Sequence, residues 1–359
     1  ENRKHFDWPS WLSISNHDIN EVLDNYQEEL KRLQGTIDLV AGGPPCQGFS
    51  MAGKRVENDT RNQLVFSYIQ FIKLVKPKMI LFENVKGFTF AFNKKTNKDA
   101  IPYSEVVINE LKELGYNVKP HIIDFSKYGV PQRRKRFILV GIMGGNAENF
   151  ETLLEELKTD YLKNKGIESF VSLQDAISDL FQKNGEIPTP DRKGFNSGVY
   201  GDINSNYQRM MRNNIDSKSI PDSHSFAHHN SFTQKVFTNL IAYYPTKGKR
   251  ITNKEREQWH IKKRGLTLLN MNDVSPTLTS HPDDYVHYAE PRILTVREYA
   301  RIQSFPDWYQ FKMKYTTGGD MRKKEVPRYT QIGNAIPPLF AELAGRVLIE
   351  ILNDGTDAI

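Results

Sequence analysis

Cys46 is the sole cysteine of the 359-residue chain and stands in VAGGPPCQGFS, residues 40–50, behind two glycines and two prolines. A thiol attacks as its thiolate, so a reactive cysteine needs a turn, backbone N–H groups or a nearby cation to lower its pKa. The ordinary reading of a lone cysteine is a small buried hydrophobe. Pro-Pro at a strand end, however, continues neither a sheet nor a helix, so the segment reads as a turn that presents the thiol. Glu83, in FENVKGF (82–88), closes a second apolar run, and a carboxyl held there can act as a proton donor. In GVPQRRKRFILVG (129–141), strand alternation puts Gln132, Arg134 and Arg136 on one side and Arg133 and Lys135 on the other. One set can then face a site while the other is solvated. Asn334, in QIGNAIPPLFAELAG (331–345), lies in a Gly-Asn turn before Pro337-Pro338, which opens a helix.

Short apolar runs interleaved with amphipathic stretches must position these groups. The spacing predicts strands over 36–42, 78–85, 117–125 and 135–143, and helices over 60–75 and 103–116. Alternating strands and helices imply an α/β domain with a mostly parallel sheet, whose ligands sit beyond the carboxyl ends of the strands. The clusters at 42–50 and 83–87 fall at that edge. From 186 to 290 the chain turns to Asn, Ser, Pro, Gly, Arg and Lys with few long apolar periods, as in a second, loop-rich domain. Regular patterning returns with LTVREYARIQSF (294–305) and PPLFAELAGRVLIEIL (337–352). The expected division is 1–168, 169–290 and a returning segment 291–359. One cysteine excludes an intramolecular disulfide framework and fits a reducing cytoplasm. No run reaches the roughly 18 apolar residues of a membrane span. With 49 Lys and Arg against 43 Asp and Glu, the formal charge of +6 favours polyanions only mildly unless it is clustered.

Taken together and in this order, these segments resemble the cytosine-5 DNA methyltransferase family. GGPPCQGFS resembles its motif IV, ENV motif VI, QRRKR the Gln-x-Arg-x-Arg of motif VIII, RILTVREYARIQSFPDWYQF (292–311) motif IX and QIGNAIPP motif X. The resemblance implies a Rossmann-like S-adenosylmethionine-dependent methyltransferase sheet with a smaller target-recognition domain. It implies that Cys46 attacks carbon 6 of a cytosine extruded from duplex DNA, that Glu83 hydrogen-bonds or protonates ring nitrogen 3, and that Arg136 contacts the carbonyl oxygen at position 2. Arg134 would orient the cysteine loop or a phosphate, and Gln132 would support the site. Carbon 5 then takes a methyl group from S-adenosylmethionine. A base in a duplex cannot be approached at carbon 6 from its face, hence the extrusion.

The same resemblance makes Asp18, in HDIN (17–20), a contact to the adenine amino group, with Pro45, Asn62, Leu64 and Asn334 as further cofactor-pocket residues. Ser50 becomes a DNA-contacting loop residue. The middle region carries basic runs interleaved with amides and aromatics, from which Arg192, Arg209, Arg212, Lys249 and Arg250 are candidate DNA contacts. SPTLTSHPDDYVHYAEPR (275–292) resembles the family's passage into motif IX. No metal is expected, because His224, His228 and His229 lack a cysteine or a regular ligand framework. The family's Phe-x-Gly-x-Gly loop, motif I, is absent from this chain. A missing N-terminal segment, a partner polypeptide carrying motifs I and II, or a degenerate subunit would each account for that, and the intact catalytic positions favour the first two. The alternatives are a transfer-RNA cytosine-5 methyltransferase, against which the extended basic region speaks, and a catalytically silent DNA-binding subunit. Thymidylate synthase shares a Pro-Pro-Cys nucleophile but not the rest of the series. The expected setting is a bacterial cytoplasm.

Overall fold

The structure, a computed structural model, describes residues 7–45, 63–90, 101–216, 219–316 and 325–356. Two compact units divide the chain. One comprises Glu1–Ile123, Lys135–Glu156 and Gly345–Ile359, the other Asp124–Arg134 and Leu157–Ala344.

The first unit is built on a four-stranded sheet in the order β1-β2-β4-β3, with β1 at Leu39–Gly42, β2 at Met79–Val85, β3 at Tyr116–Asp124 and β4 at Lys135–Met143. Helices α1 (Ile19–Asn25) and α2 (Gln27–Arg32) precede it, α3 (Gln63–Val75) joins β1 to β2, α4 (Tyr103–Glu113) precedes β3, and α5 (Asn149–Asn164) follows β4. Helix α3 forms because Val65, Tyr68, Ile69, Ile72 and Val75 recur on one buried face. It ends where Lys76 takes a positive φ of 42° just before Pro77. The core on this side holds Tyr68, Phe82, Phe88 and Phe137. Phe82 and Phe137 meet edge to face at 6.3 Å, and each such buried ring contributes about 1.5–3 kcal/mol through burial.

The sheet is mixed rather than mostly parallel. β1 pairs with β2 in parallel, Leu39 opposite Met79 and Gly42 opposite Phe82, whereas β2 pairs with β4 antiparallel, Met79 opposite Ile142 and Val85 opposite Arg136. The reason lies between β3 and β4. A parallel return needs a crossover of a dozen or more residues, usually helical, and this connection offers only a short 3₁₀ turn, Phe125–Tyr128, before β4 begins.

The second unit contains α6 (Leu173–Ile177), the pair β5 (Glu186–Pro188) and β6 (Asn196–Gly198), α7 (Asn206–Met211), α8 (Ser231–Tyr243), α9 (Asn253–Gln258), the pair β7 (Thr267–Leu268) and β8 (Tyr285–Val286), α10 (Val296–Ile302) and α11 (Arg328–Asn334); α12 (Pro338–Thr356) starts within it. Val236, Phe237 and Leu240 of α8 pack with Ile251, Leu266, Leu268, Val286 and Ile293 in one apolar cluster. Residues 291–344 belong to this second compact unit. Helix α10 explains why, since all seven of its residues are buried, charged ones included. Arg301 pairs with Asp307 at 2.6 Å and Asp179 at 3.1 Å, and Arg297 with Asp222 at 3.0 Å. Buried guanidinium groups persist only where carboxylates and carbonyls satisfy them, and those partners come from the second unit.

Candidate active site

Sheet polarity assembles the site in the first unit. The parallel pairing brings the carboxyl ends of β1 and β2 to one edge, and the antiparallel pairing brings the amino end of β4 to the same edge. Residues directly opposite in an antiparallel pair share a face. With Val85 opposite Arg136 and Glu83 opposite Ile138, Glu83 and Arg136 therefore project together on the diagonal. Arg136 Nε stands 2.9 Å from Glu83 Oε1, with the two side chains only 11% and 13% exposed. A parallel β4 would have carried Arg136 to the other end of β2, roughly 20 Å away. Burial pulls the Arg136 guanidinium below its ordinary pKa, and the Glu83 carboxylate opposes that pull. The result is a nearly dry carboxylate beside a fixed cation.

The chain leaving β1 is held against this pair. A Cβ on Gly42 would fall 2.4 Å from the Tyr68 ring, and one on Gly43 would fall 3.1 Å from Glu83 Oε2. Gly42 therefore needs glycine for close approach rather than for a positive φ, and at Gly43 a side chain would require Glu83 or the turn to give by a few tenths of an ångström. Asn84 Nδ2 donates to the Pro44 carbonyl at 3.2 Å, and the Tyr68 hydroxyl donates to the Val40 carbonyl at 3.4 Å. Asn84 Oδ1 in turn accepts from the Val85 N–H at 2.8 Å, which fixes its amide. Cys46 follows Pro44 by two residues and, with Ser50 and Asn62, lies outside the described residues. Tyr68 and Asn84 escaped the sequence reading. Asn84 had a signal, an amide at the end of a buried strand next to Glu83; Tyr68 looked like one more apolar residue on a helix.

Burial alternates through the motif VIII stretch, with Gln132 and Arg134 buried, Arg133 and Lys135 exposed, and Arg136 half-buried. Gln132 and Arg134 belong to the second unit and act there. Gln132 donates to Gln303 Oε1 at 2.8 Å and accepts from the Leu278 N–H at 3.0 Å. Arg134, 2% exposed, donates to the carbonyls of Gly333 at 2.8 Å and Ala335 at 3.2 Å. A guanidinium so enclosed braces the motif VIII segment against the motif X segment. Asn334 ends α11 and is exposed.

For a cofactor, Asp18 is exposed at the start of α1, where its Oδ1 accepts from the Asn20 N–H at 2.8 Å. Its second oxygen can accept from an amino group such as that of adenine. Leu64, in the first turn of α3, is half-exposed, and Pro45 is exposed beyond β1.

The candidate DNA contacts fall into two kinds. Arg209, Lys249 and Arg250 are exposed. Arg192 stacks 3.4 Å over Phe195 and is half-buried. Arg212 is committed internally: it donates to the Gly201 carbonyl at 2.8 Å, stands 3.5 Å from Asp179 and covers the Tyr200 ring, leaving the side chain 12% exposed. It is a structural cation of α7's end, not a surface contact. The three histidines serve separate ends. His224 is buried between Thr295 Oγ1 and the Leu180 carbonyl, His228 stacks on Phe195, and His229 accepts from the Ile293 N–H. Among the described residues no group of three His, Cys, Asp or Glu side chains could hold a metal.

The C-5 cytosine-specific DNA methylase family matches this chain over residues 8–350, and the chain belongs to that family. It is accordingly a DNA (cytosine-5-)-methyltransferase. Among its relatives, the type II methyltransferase M.DdeI of Desulfomicrobium norvegicum is 31% identical over 92% of this chain and 78% of its own length. M.XorII of Xanthomonas oryzae pv. oryzae is 30% identical over 97% of this chain and 76% of its own. Of solved structures, a DNA modification methyltransferase encoded within a prophage of E. coli shares the fold with a TM-score of 0.60 at 22% identity, covering 94% of this chain and 85% of that one. Among the described residues no helix is long and apolar enough to cross a membrane.

Proposed function

We propose that the chain methylates carbon 5 of a cytosine extruded from a specific duplex DNA sequence, through a transient covalent bond to Cys46. The observation that carries this reading is the Glu83–Arg136 pair, because the glycine turn leading to the lone cysteine runs against its carboxylate. The Cys46 thiolate bonds to carbon 6, and the electron pair displaced from the 5,6 double bond makes carbon 5 nucleophilic. Glu83 holds the proton at ring nitrogen 3 as charge develops there. Arg136 steadies the ring's carbonyl oxygen and keeps the Glu83 carboxyl in place. A fixed charge needs no reorganisation when the bond forms, which is the source of its catalytic value. S-adenosylmethionine, when bound, supplies the methyl group; Asp18, Pro45 and Leu64 line the adenosyl side, with Asn62 and Asn334 as further contacts. Loss of the carbon 5 proton and expulsion of the thiolate then restore the ring.

The loop-rich region from about 170 to 290 serves as the target-recognition part. β1 is the outer strand of the described sheet and is half-exposed or exposed along its length. That edge suits pairing with a further strand, from an N-terminal segment or a partner polypeptide carrying motif I. A bacterial cytoplasm and a companion restriction enzyme fit the type II relatives. The test is capture on a duplex containing 5-fluorocytosine with S-adenosylmethionine present. A covalent adduct that Cys46→Ser abolishes supports the mechanism. Retention of the duplex without any adduct would refute it in favour of a silent DNA-binding subunit.

A further inference from the structure

The chain's excess charge has a single address. Residues 247–264, KGKRITNKEREQWHIKKR, carry eight Lys and Arg against two Glu, an excess of six that equals the excess of all 359 residues. The rest of the chain is balanced, 41 cations against 41 anions. The structure folds this segment around a wide concavity of about 1000 Å³, lined by Arg250, Arg256, Lys262 and Arg264 among others. Its floor is anchored, since Ile251 belongs to the α8 cluster and Trp259 and Ile261 pack against it. Thr252 and Glu255 close a capping box at the start of α9.

The few acids are already spoken for or outnumbered. Glu255 pairs with Lys247 at 2.5 Å as well as capping α9, and Lys263 faces Asp284 at 3.0 Å. Lys249, Lys262 and Arg264 are exposed and have no carboxylate partner among the described residues. Arg250 uses only its Nε, donating to the Arg264 carbonyl at 2.8 Å. Of the segment's two amides, Asn253 is engaged within it. Asn253 Oδ1 accepts from Arg256 at 3.0 Å, and Arg256 also donates to the Lys262 carbonyl at 3.3 Å. What faces outward is cationic, Lys249, Arg250, Lys262 and Arg264 within sixteen residues, the chemistry of phosphate neutralisation.

We propose that residues 247–264 form a backbone clamp, in which Arg250, Lys262 and Arg264 hold the phosphates of duplex DNA without regard to sequence, so that target choice resides elsewhere. This rests on the DNA-modifying reading above, but its test does not use methyl transfer. Binding of fluorescent duplexes, one containing a target site and one without, is measured against salt for the full chain and for the variant Arg250→Gln/Lys262→Gln/Arg264→Gln. Each phosphate contact contributes a slope of about 0.9 in log K against log salt. Loss of three contacts lowers the slope by about 2 to 3 and weakens both duplexes alike, on the order of 100-fold at physiological salt. Thermal unfolding checks that the variant folds; should it not, Lys262→Gln alone lowers the slope by about 0.9. An unchanged slope overturns the proposal. So does a loss confined to the target duplex, which would make the segment a sequence reader, or a loss seen with an RNA hairpin but not with duplex DNA. Failure of the methyltransferase reading would appear separately, as absence of the 5-fluorocytosine adduct while the clamp still shows its salt slope.

Discussion

Replacing Gly43 by alanine adds a single methyl group and is aimed at one atom. The new Cβ would stand 3.1 Å from Glu83 Oε2, closer than an ordinary van der Waals contact of about 3.5 Å. A free carboxylate would swing aside, but this one is tethered through Oε1 to Arg136 at 2.9 Å. The loop or the carboxylate must therefore shift by a few tenths of an ångström. Misplacement by 1 Å can cost about 100-fold in rate, so a shift of about a third of that predicts a 3- to 30-fold slower single-turnover methyl transfer. Gly43 is exposed, and stability should change by no more than about 0.5 kcal/mol. On the mechanism proposed above, Glu83→Gln should cost about 100- to 10 000-fold. The assay is transfer of labelled methyl groups to a duplex substrate under single-turnover conditions, beside thermal unfolding of the same preparations. A Gly43→Ala protein with unaltered rate and unaltered melting would refute the claim that the glycine turn presses on the catalytic carboxylate.

Gly42→Ala should behave in the opposite way, losing about 1–3 kcal/mol in denaturant unfolding, because its Cβ would meet the Tyr68 ring at 2.4 Å inside the core. Glu298→Gln should destabilise by about 3–5 kcal/mol, since it removes the negative charge that the buried Arg292 guanidinium meets at 2.7 Å; melting like the parent protein would contradict this. Acid should unfold the second unit in two stages. Burial holds His224 down to about 4 from its ordinary 6.5. The unfolded chain therefore takes up that proton first, and stability that is full above pH 6.5 falls by about 3 kcal/mol toward pH 4 from His224 alone, while His287, held down to about 3 by burial, withdraws a similar amount from pH 6.5 to 3. Glu298, held at about 2 by Arg292 against the cost of burial, withdraws a comparable amount between pH 4.5 and 2. Urea titrations across pH 7 to 2 follow both, and a stability flat down to pH 4 would discount the buried histidines.

Much of the first unit could be read from apolar spacing. The run KRFILVGIM reads as a strand over 135–143, and β4 has those bounds; α3 and β2 fall within a residue or two of their patterns among the described residues. Strand direction was not legible, because pairing sense is a tertiary property that residue types barely encode. It had to come from the brevity of the link after β3. The candidate site divides in the same way. Glu83 and Arg136 were nominated by type and turn up 2.9 Å apart. Arg212 was nominated by type as well, and the ring of Tyr200 and the carboxylate of Asp179 claim it. A cation's destination depends on what surrounds it, and charge runs alone do not tell a solvated arginine from an enclosed one. Helix α10 carries the same lesson, since Arg297, Glu298 and Arg301 resemble a surface face until their partners from distant segments close over them.

The first unit is assembled from three separate stretches, the last of which, Gly345–Ile359, brings the buried Val347 and Leu348. During synthesis the first unit must wait for that piece while the 188 intervening residues, 157–344, leave the ribosome, roughly 10–40 s at common elongation rates. Through that interval its apolar flank lies bare, so the nascent enzyme is a natural client for holdases. Truncation behind Ala344 should then yield insoluble protein, even though every catalytic side chain named above has already been made.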